Sequence, residues 1–323
     1  VGNQIYHGAV TVDNDEVGSA YWTLTTTNNN ITFNGTLNST SGEVNNLTFN
    51  TGGNTGTITF GDTTADTVGA TDALGALAIT GNLDLNAAIT SATSISVSGS
   101  SNLGANVTTT GTQTYTGAVT LSTNTTITTT DNNVSFGATI ARDGTARNLT
   151  FNTGSGTVSV TGNVGSGAAL GIITLTQTGG TTFSGTLDAA TVTLTDTADA
   201  TDITFAGSAT ITTLNTAAQP YNIVFNGAAN VITNLVTFTN TGTVTLGDGS
   251  SDVTTFTAGV TATAPSQVNL AGTIQTTNTT MSVGDAGTPI VLTANTILSG
   301  NTAGAITLGG TVNGAYSLTV NTT

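Results

Sequence analysis

A short motif recurs along the chain and sets the length of its structural unit. In each copy an aromatic or aliphatic residue is followed by a spacer, Gly, a second spacer and an aliphatic residue. The clearest copies begin at Tyr6, Phe33, Ile79, Tyr115, Val160, Phe183, Leu270 and Leu308, and looser copies begin at Phe136, Phe205 and Phe225. From Tyr115 to Phe225 the leading residues are separated by 21, 24, 23, 22 and 20 residues. This spacing is typical of one turn of a β-solenoid made of three short strands and three turns.

The segments between these motifs alternate between apolar and small polar residues. Thr57–Phe60, Ser94–Val97 and Val192–Leu194 are examples, and such alternation is typical of a strand that buries one face. Stacked coils bury a continuous core that a single coil could not bury alone. We therefore predict an all-β fold, a right-handed parallel β-helix whose coils contain about 20 to 24 residues.

A longer similarity is superimposed on the short motif. Gln4–Val12 resembles Gln113–Leu121 at an offset of 109 residues, and Asn46–Gly52 recurs identically at Asn148–Gly154, an offset of 102. Two nearly equal offsets indicate duplication of a unit of several coils. Because no linker or shift in composition interrupts the chain, we expect residues 1–323 to form one continuous solenoid region, either part of a longer rod or a filament subunit.

The charge content excludes several classes of partner. Only 6% of the 323 residues are charged, against about 25% in an ordinary domain. The net charge is −15, and Arg142 and Arg147 are the only cationic side chains. Nucleic acid is not expected as a partner, because phosphate binding requires clustered cations. The chain also has no cysteine, which removes disulfides and thiol chemistry.

Several segments resemble a known class of repeats. Gln113–Leu121, Gly144–Asn152 and Ala305–Val320 are similar to repeats of very large filamentous-haemagglutinin-like bacterial exoproteins, also called β-strand repeat proteins. The resemblance covers essentially the whole chain. It implies an elongated right-handed β-helical rod, exported across the outer membrane, that serves adhesion, aggregation or matrix building.

The expected function follows from that resemblance and from the strand pattern, which continues to both ends of the sequence. We expect a structural, non-enzymatic segment of a secreted bacterial cell-surface adhesin or extracellular matrix fibre, as in a biofilm. One alternative is a subunit that assembles end to end into an extracellular filament. A second alternative is a β-helix protein that binds or cleaves polysaccharides. The expected partners are copies of the chain or flanking repeats, and glycans or proteins on host or cell surfaces, without nucleic acid or membrane insertion.

The sequence contains few residues of the types that act in catalysis. His7 is the only histidine, so a Ser–His–Asp triad is disfavoured, and we expect His7 to face solvent. A paired-carboxylate hydrolase stays formally open, but no acidic pair differs from ordinary turn residues. Aromatic residues for stacking on sugars are only 5% of the chain. We therefore predict no enzyme activity, no catalytic residue and no cofactor.

Acidic clusters are the better candidates for a binding site. They are Asp13, Asp15 and Glu16; Asp62 and Asp66; Asp196, Asp199 and Asp202; Asp248 and Asp252. Calcium takes about six to eight oxygen ligands, and none of these clusters matches a known calcium-loop pattern. We expect them to cap turns, with Asp196, Asp199, Asp202, Asp248 and Asp252 as weak calcium candidates.

Two further patterns are interpreted as surface features. Thr126–Thr128 and Thr210–Thr212 have the Thr-x-Thr form found on ice-binding faces, but they do not recur at one fixed coil position. Asn-x-Ser/Thr sequons, including those at Asn124 and Asn133, are expected to arise by chance in a chain rich in Asn and Thr.

Overall fold

The described part of the protein consists of strands and turns. The structure is a computed structural model that describes residues 2–13, 21–53 and 55–322, and these ranges contain no helix. Parallel strands stack in coils and form a β-solenoid of about 14 turns. The predicted all-β solenoid is therefore confirmed. Within the same ranges, no helix is long and apolar enough to cross a membrane.

The chain divides into two compact units, Val1–Gly162 and Asn163–Thr323. The strands of the first unit, in chain order, are β1 (Gln4–Tyr6), β2 (Val10–Val12), β3 (Tyr21–Thr25), β4 (Ile31–Phe33), β5 (Leu37–Ser39), β6 (Asn46–Asn50), β7 (Thr57–Phe60), β8 (Thr67–Val68), β9 (Leu74–Thr80), β10 (Asn82–Leu85), β11 (Ala88–Val97), β12 (Ser101–Leu103), β13 (Val107–Thr109), β14 (Gln113–Tyr115), β15 (Val119–Leu121), β16 (Thr125–Thr128), β17 (Val134–Phe136), β18 (Ile140–Arg142), β19 (Leu149–Asn152) and β20 (Val158–Val160).

These strands form three stacks, which we call faces 1, 2 and 3. Face 1 contains β1, β4, β7, β10, β12, β15 and β18. Face 2 contains β2, β5, β8, the start of β11, β13, β16 and β19. Face 3 contains β3, β6, β9, the end of β11, β14, β17 and β20. The chain visits faces 1, 2 and 3 in turn, so one coil is three strands.

The second unit is built in the same way from longer strands. They are β21 (Leu170–Gln177), β22 (Thr181–Phe183), β23 (Leu187–Leu194), β24 (Asp202–Phe205), β25 (Ala209–Thr216), β26 (Asn222–Phe225), β27 (Ala229–Ile232), β28 (Val236–Thr237), β29 (Thr243–Leu246), β30 (Val253–Phe256), β31 (Val260–Ala262), β32 (Gln267–Thr276), β33 (Met281–Val283), β34 (Ile290–Ser299), β35 (Ile306–Leu308), β36 (Val312–Asn313) and β37 (Leu318–Asn321). β32 pairs through its start with β29 and through its end with β30, so it passes continuously around a corner.

The predicted coil length is confirmed in the middle of the chain. Tyr115 lies beside Phe136, which lies beside Val160, and Phe183 lies beside Phe205. Outside this region the coils vary more widely. In the first unit a residue of β10 pairs 18 positions further on in β12, whereas β5 pairs 31 positions further on in β8. Turn length absorbs most of this variation, although register also shifts within the pairing of β11 with β13 and of β32 with β34.

The core is built by residues that stack on equivalent residues of the next coil. In β17, Val134 and Phe136 are each 1% exposed while Ser135 faces outward. Aromatic rings repeat this relation along the stack: the ring centroids of Tyr115 and Phe136 are 4.9 Å apart, with planes inclined by 10°. Such offset-stacked pairs add to the stabilisation from burial.

The Gly of the short motif is required by the close approach of successive coils. A Cβ atom added to Gly117 would lie 2.3 Å from the carbonyl oxygen of Gly99, and one added to Gly207 would lie 2.2 Å from that of Gly185. Both distances are far shorter than van der Waals contact. The motif therefore marks a corner at which backbone packs directly on backbone.

The longer sequence repeat does not follow whole coils. Tyr6 lies on face 1, but its counterpart Tyr115 lies on face 3. Likewise Phe49 lies on face 3 and its counterpart Phe151 on face 2. The repeat offset therefore does not correspond to a whole number of coils. A strand and its corner are the units that recur, and the same sequence serves at different corners.

A buried Gln–Tyr pair explains one conserved feature of the two repeat copies. Gln113 is fully buried, donates from Nε2 to the carbonyl oxygen of Thr128 at 2.9 Å, and accepts from the Tyr115 hydroxyl at 3.1 Å. Burial raises the pKa of Tyr115, so its hydroxyl stays protonated. Gln4 and Tyr6 form the same pair at 3.4 Å. The hydrogen bond from Gln113 to Thr128 thus links face 3 to face 2.

We predict that Phe205→Ala lowers the free energy of unfolding by about 3–5 kcal/mol, the usual cost of removing a buried ring. Phe205 is fully buried between Phe183 and Phe225, at centroid distances of 5.6 and 4.6 Å. Thr204→Ala, at the neighbouring outward position, should change stability by no more than about 0.5 kcal/mol. Urea denaturation followed by circular dichroism measures both, and equal losses would contradict the assigned inward face.

Candidate functional site

Asparagine side chains at the corners join successive coils. The Oδ1 atom of Asn124 accepts a hydrogen bond from the backbone N–H of Asn148, 24 residues later, at 3.0 Å. We call such a contact a corner clamp. The other clamping asparagines are Asn3, Asn30, Asn38, Asn46, Asn82, Asn106, Asn133, Asn163, Asn222, Asn278 and Asn295. Each satisfies a backbone donor next to a strand, where the regular ladder is interrupted.

The clamps share one direction. In all twelve the asparagine belongs to the earlier coil and the N–H to the later coil. Asn230 is an exception, because its Oδ1 accepts from the N–H of Ala209 in the preceding coil. Each coil therefore presents side-chain acceptors toward the next coil and backbone donors toward the previous one.

The clamps also explain several of the sequons. Asn133 clamps the corner, Val134 is the first inward residue of the strand, and Ser135 is the first outward one. The same order produces a sequon at Asn30, Asn46, Asn106 and Asn124. At these positions the sequon follows from the geometry of a clamped strand and not from composition alone, whereas the clamps Asn3 and Asn82 have no sequon.

Asp248 and Asp252 form a turn. The Asp252 Oδ2 atom accepts from the N–H groups of Asp248 and Gly249, at 2.9 and 2.8 Å. Burial, and then contact with the Asp252 carboxyl group, raise the pKa of Asp248. Turn capping therefore accounts for the Asp252 side chain, which the Asp248 side chain contacts.

The other calcium candidates are dispersed. Asp202 accepts a hydrogen bond from Asn222 Nδ2 at 2.9 Å, while Asp196 and Asp199 lie in the turn that follows β23. In the described part of the chain, no three His, Cys, Asp or Glu side chains are grouped so that they could hold a metal ion. The structure does not bring Asp196, Asp199 and Asp202 together with Asp248 and Asp252.

The remaining acidic candidates also lie in turns. Asp66 Oδ2 accepts from the hydroxyl and N–H groups of Thr63, and these contacts, led by the hydroxyl, lower the pKa of Asp66. Asp13 accepts a hydrogen bond from the Trp22 indole through its backbone oxygen. The candidates at positions 15 and 16 lie outside the described residues. His7 is exposed in the corner between β1 and β2, as expected from the sequence.

The two arginines lie in one exposed corner. Arg147 Nε donates to Asp143 Oδ1 at 2.9 Å, and this is the one ion pair among the described residues. The hydrogen bond from Arg147 lowers the pKa of Asp143. Arg142 Nη1 donates to the backbone oxygen of the same Asp143 at 3.3 Å.

A row of small outward residues on face 3 was not predicted. Thr114 lies beside Ser96 on one side and Ser135 on the other, and the row continues through equivalent strands. Its members in the first unit are Thr23, Thr48, Ala78, Ser96, Thr114, Ser135 and Ser159. The row is not visible in the sequence because coil length varies, so that its members are unevenly spaced. Residues at equivalent positions of successive coils can be recognised only from the pairing of strands.

The N-terminal end of the first unit leaves its core open. Tyr6 and Val10 are partly exposed, whereas Phe33 and Leu37, beside them in the next coil, are 2% and 0% exposed. Together with Trp22 they line an apolar opening of about 300 Å³. These are core positions that lack a covering coil among the described residues.

Inward apolar residues are also exposed at the C-terminal end of the second unit. Val320 is 47% exposed, although Leu298 beside it is fully buried. Val312 is 40% exposed, although its neighbour Ile290 is 1% exposed. The inward positions of the last described strands therefore form an apolar surface.

Comparison of the chain with protein-family models, with curated proteins and with solved structures finds no match.

We predict that Asn124→Ala speeds hydrogen exchange of the Asn148 amide, because its acceptor is lost. The expected cost is about 1 kcal/mol of local stability. Asn124→Asp should preserve most of the protection, since a carboxylate oxygen can accept the same bond, and Thr116→Ala, at an exposed site without a clamp, should have no effect there. Exchange measured by NMR tests this, and equal protection in wild type and Asn124→Ala would exclude the clamp.

We also predict that trypsin cleaves the native chain only in the Arg142–Arg147 corner, because no other Lys or Arg is present. Asp143→Asn should increase the rate of cleavage after Arg147 by no more than about fivefold, since it weakens an exposed ion pair. Mass spectrometry of timed digests gives the rates. Chymotrypsin is the control, and a parallel rise in its cleavage rate would indicate general unfolding instead.

Proposed function

We propose that this chain is a structural, non-enzymatic repeat segment of a secreted bacterial adhesin or extracellular matrix fibre, similar to filamentous-haemagglutinin-like proteins. In this proposal the segment works by stacking coils into an elongated rod. Its partners are further repeats of the same kind, and the rod presents glycan- or protein-binding surfaces at a distance from the cell.

The open ends carry this proposal. Tyr6 and Val320 occupy inward positions in the first and last described coils and are partly exposed there. The strands there also present an edge to which a further strand can pair. In repeat proteins a stable free end usually carries a polar cap, and the described ends have apolar surfaces instead. Additional coils would cover them.

Surface composition supports an extracellular role. The outward positions carry Thr, Ser and Asn, and the net charge of −15 opposes aggregation of a long repetitive molecule. The absence of cysteine is compatible with an exported bacterial protein. The resemblance of the repeats to exported β-strand repeat proteins points in the same direction.

A second candidate is a subunit that assembles end to end into a filament. It is favoured by the presence of apolar core positions at both ends, such as Val10 and Val312, which could cover one another between copies. In this form the covering coil comes from another molecule.

We expect electron microscopy of the native protein, isolated from its source, to show thin rods or filaments at the cell surface. A mass far above 31.8 kDa would support the continuous rod, and a mass near it, with filaments, would support assembly of subunits. In the second case Val320→Asp should abolish filaments, because it places a charge on the stacking surface, while Thr319→Asp, facing outward, should not. Compact particles, or protein confined to the cell interior, would overturn both forms.

A further inference from the structure

A polar pocket of about 350 Å³ opens on face 1 of the first unit. It lies where the coils shorten: Thr57 pairs with Asn82 at a distance of 25 residues, whereas Leu83 pairs with Ser101 after only 18. The pocket is lined mainly by hydroxyl and carboxamide groups.

Asp84 lies at the centre of the pocket and is held in one orientation. Asn102 Nδ2 donates to Asp84 Oδ1 at 2.8 Å, and Asn86 Nδ2 donates to Oδ2 at 3.3 Å. A carboxylate offers about four acceptor positions, so two remain for a ligand. Because both amides fix the carboxylate before binding, a ligand with two donors meets a preorganised acceptor.

The pocket extends across successive strands. Asp84 lies beside Asn102, which lies beside Thr120, so these polar groups repeat at the strand spacing of roughly 4.8 Å. Ser100 lies at the edge, and its hydroxyl and N–H both bind Asn82 Oδ1 at 2.9 Å. A linear ligand lying across the strands would meet a hydrogen-bonding group at each one.

The charge of the pocket restricts the ligand. Asp84 is its only charged side chain, and the net charge of −15 repels anions. One carboxylate is too few for a site that would hold calcium through protein ligands. Groups that donate hydrogen bonds without charge, such as the neighbouring hydroxyls of a sugar ring, fit these acceptors best.

Ser101 lies on the inward side of β12. It is 2% exposed, alternates with the outward Asn102, and stacks between the inward residues Leu83 and Val119. Its hydroxyl therefore faces the core and does not meet a ligand in the pocket.

We propose that this pocket binds a neutral oligosaccharide through Asp84, Asn102 and Thr120. The site binds the sugar without cleaving it, because the second carboxylate required for glycoside hydrolysis is absent from the pocket. This inference does not depend on the stacking function proposed above.

Calorimetric titration of the purified full chain with cellohexaose, maltohexaose and xylohexaose tests the proposal. We expect at least one to bind, and Asp84→Ala to weaken it at least tenfold. Asp84→Asn keeps one acceptor oxygen and the shape of the side chain, so it should weaken sugar binding less than Asp84→Ala does. It also serves as a control for loss of binding caused by misfolding. Thr32→Ala is the matched control, because Thr32 faces outward on face 1 but lies outside the pocket.

Ser101→Ala is a second control. We expect it to raise the melting temperature, because an unpaired buried hydroxyl is removed, and to leave sugar binding unchanged, because the side chain faces the core. The proposal is overturned if none of the three sugars binds, if binding is unchanged in Asp84→Ala, or if Asp84 binds calcium in a titration with calcium chloride alone. None of these outcomes bears on the rods or filaments.

Discussion

The parallel ladder between successive coils is the interaction on which the rest of the structure depends. Each interior strand hydrogen-bonds to a strand of the coil before and to one of the coil after, so side chains of equivalent residues stack at roughly 4.8 Å. The side chain of an inward residue must therefore pack against the inward side chains directly above and below it. Phe183, Phe205 and Phe225 meet this condition by stacking their rings. The corners must be equally thin, which is why Gly117 packs on the backbone of Gly99.

The sequence predicts the fold well because both of its signals are local. Alternation in a segment such as Thr57–Phe60 indicates a strand with one buried face, and the Gly motif indicates a corner. The assignment of strands to faces could not be predicted, because the same motif serves at more than one kind of corner. Tyr6 and Tyr115 have nearly the same neighbours in sequence but lie on different faces. Only the pairing of strands, which depends on turn lengths, distinguishes them.

The corner clamps show why a chain with so few charges can hold its coils together. Ion pairs contribute little, since Arg147 and Asp143 form the one pair in the described residues. Hydrogen bonds to asparagine carboxamides join the coils instead: Asn124 and Asn278 each connect their coil to the next. The sequence alone suggested turn residues and chance sequons, because an asparagine before a strand is common to both. The missing information was the backbone N–H of the next coil, which is 24 residues away in these cases.

The direction of the clamps has a consequence for any coil that covers an end. A coil added in the same orientation as its neighbours would bring backbone donors to the acceptors of the last coil, as Thr302 does for Asn278. A coil added in the opposite orientation would place acceptor against acceptor, and each unsatisfied group that became buried would cost about 1–3 kcal/mol. Apolar side chains such as Tyr6 and Val320 do not distinguish these orientations, because burial has no direction. The asparagines therefore give a head-to-tail polarity to stacking that the core alone would leave undetermined.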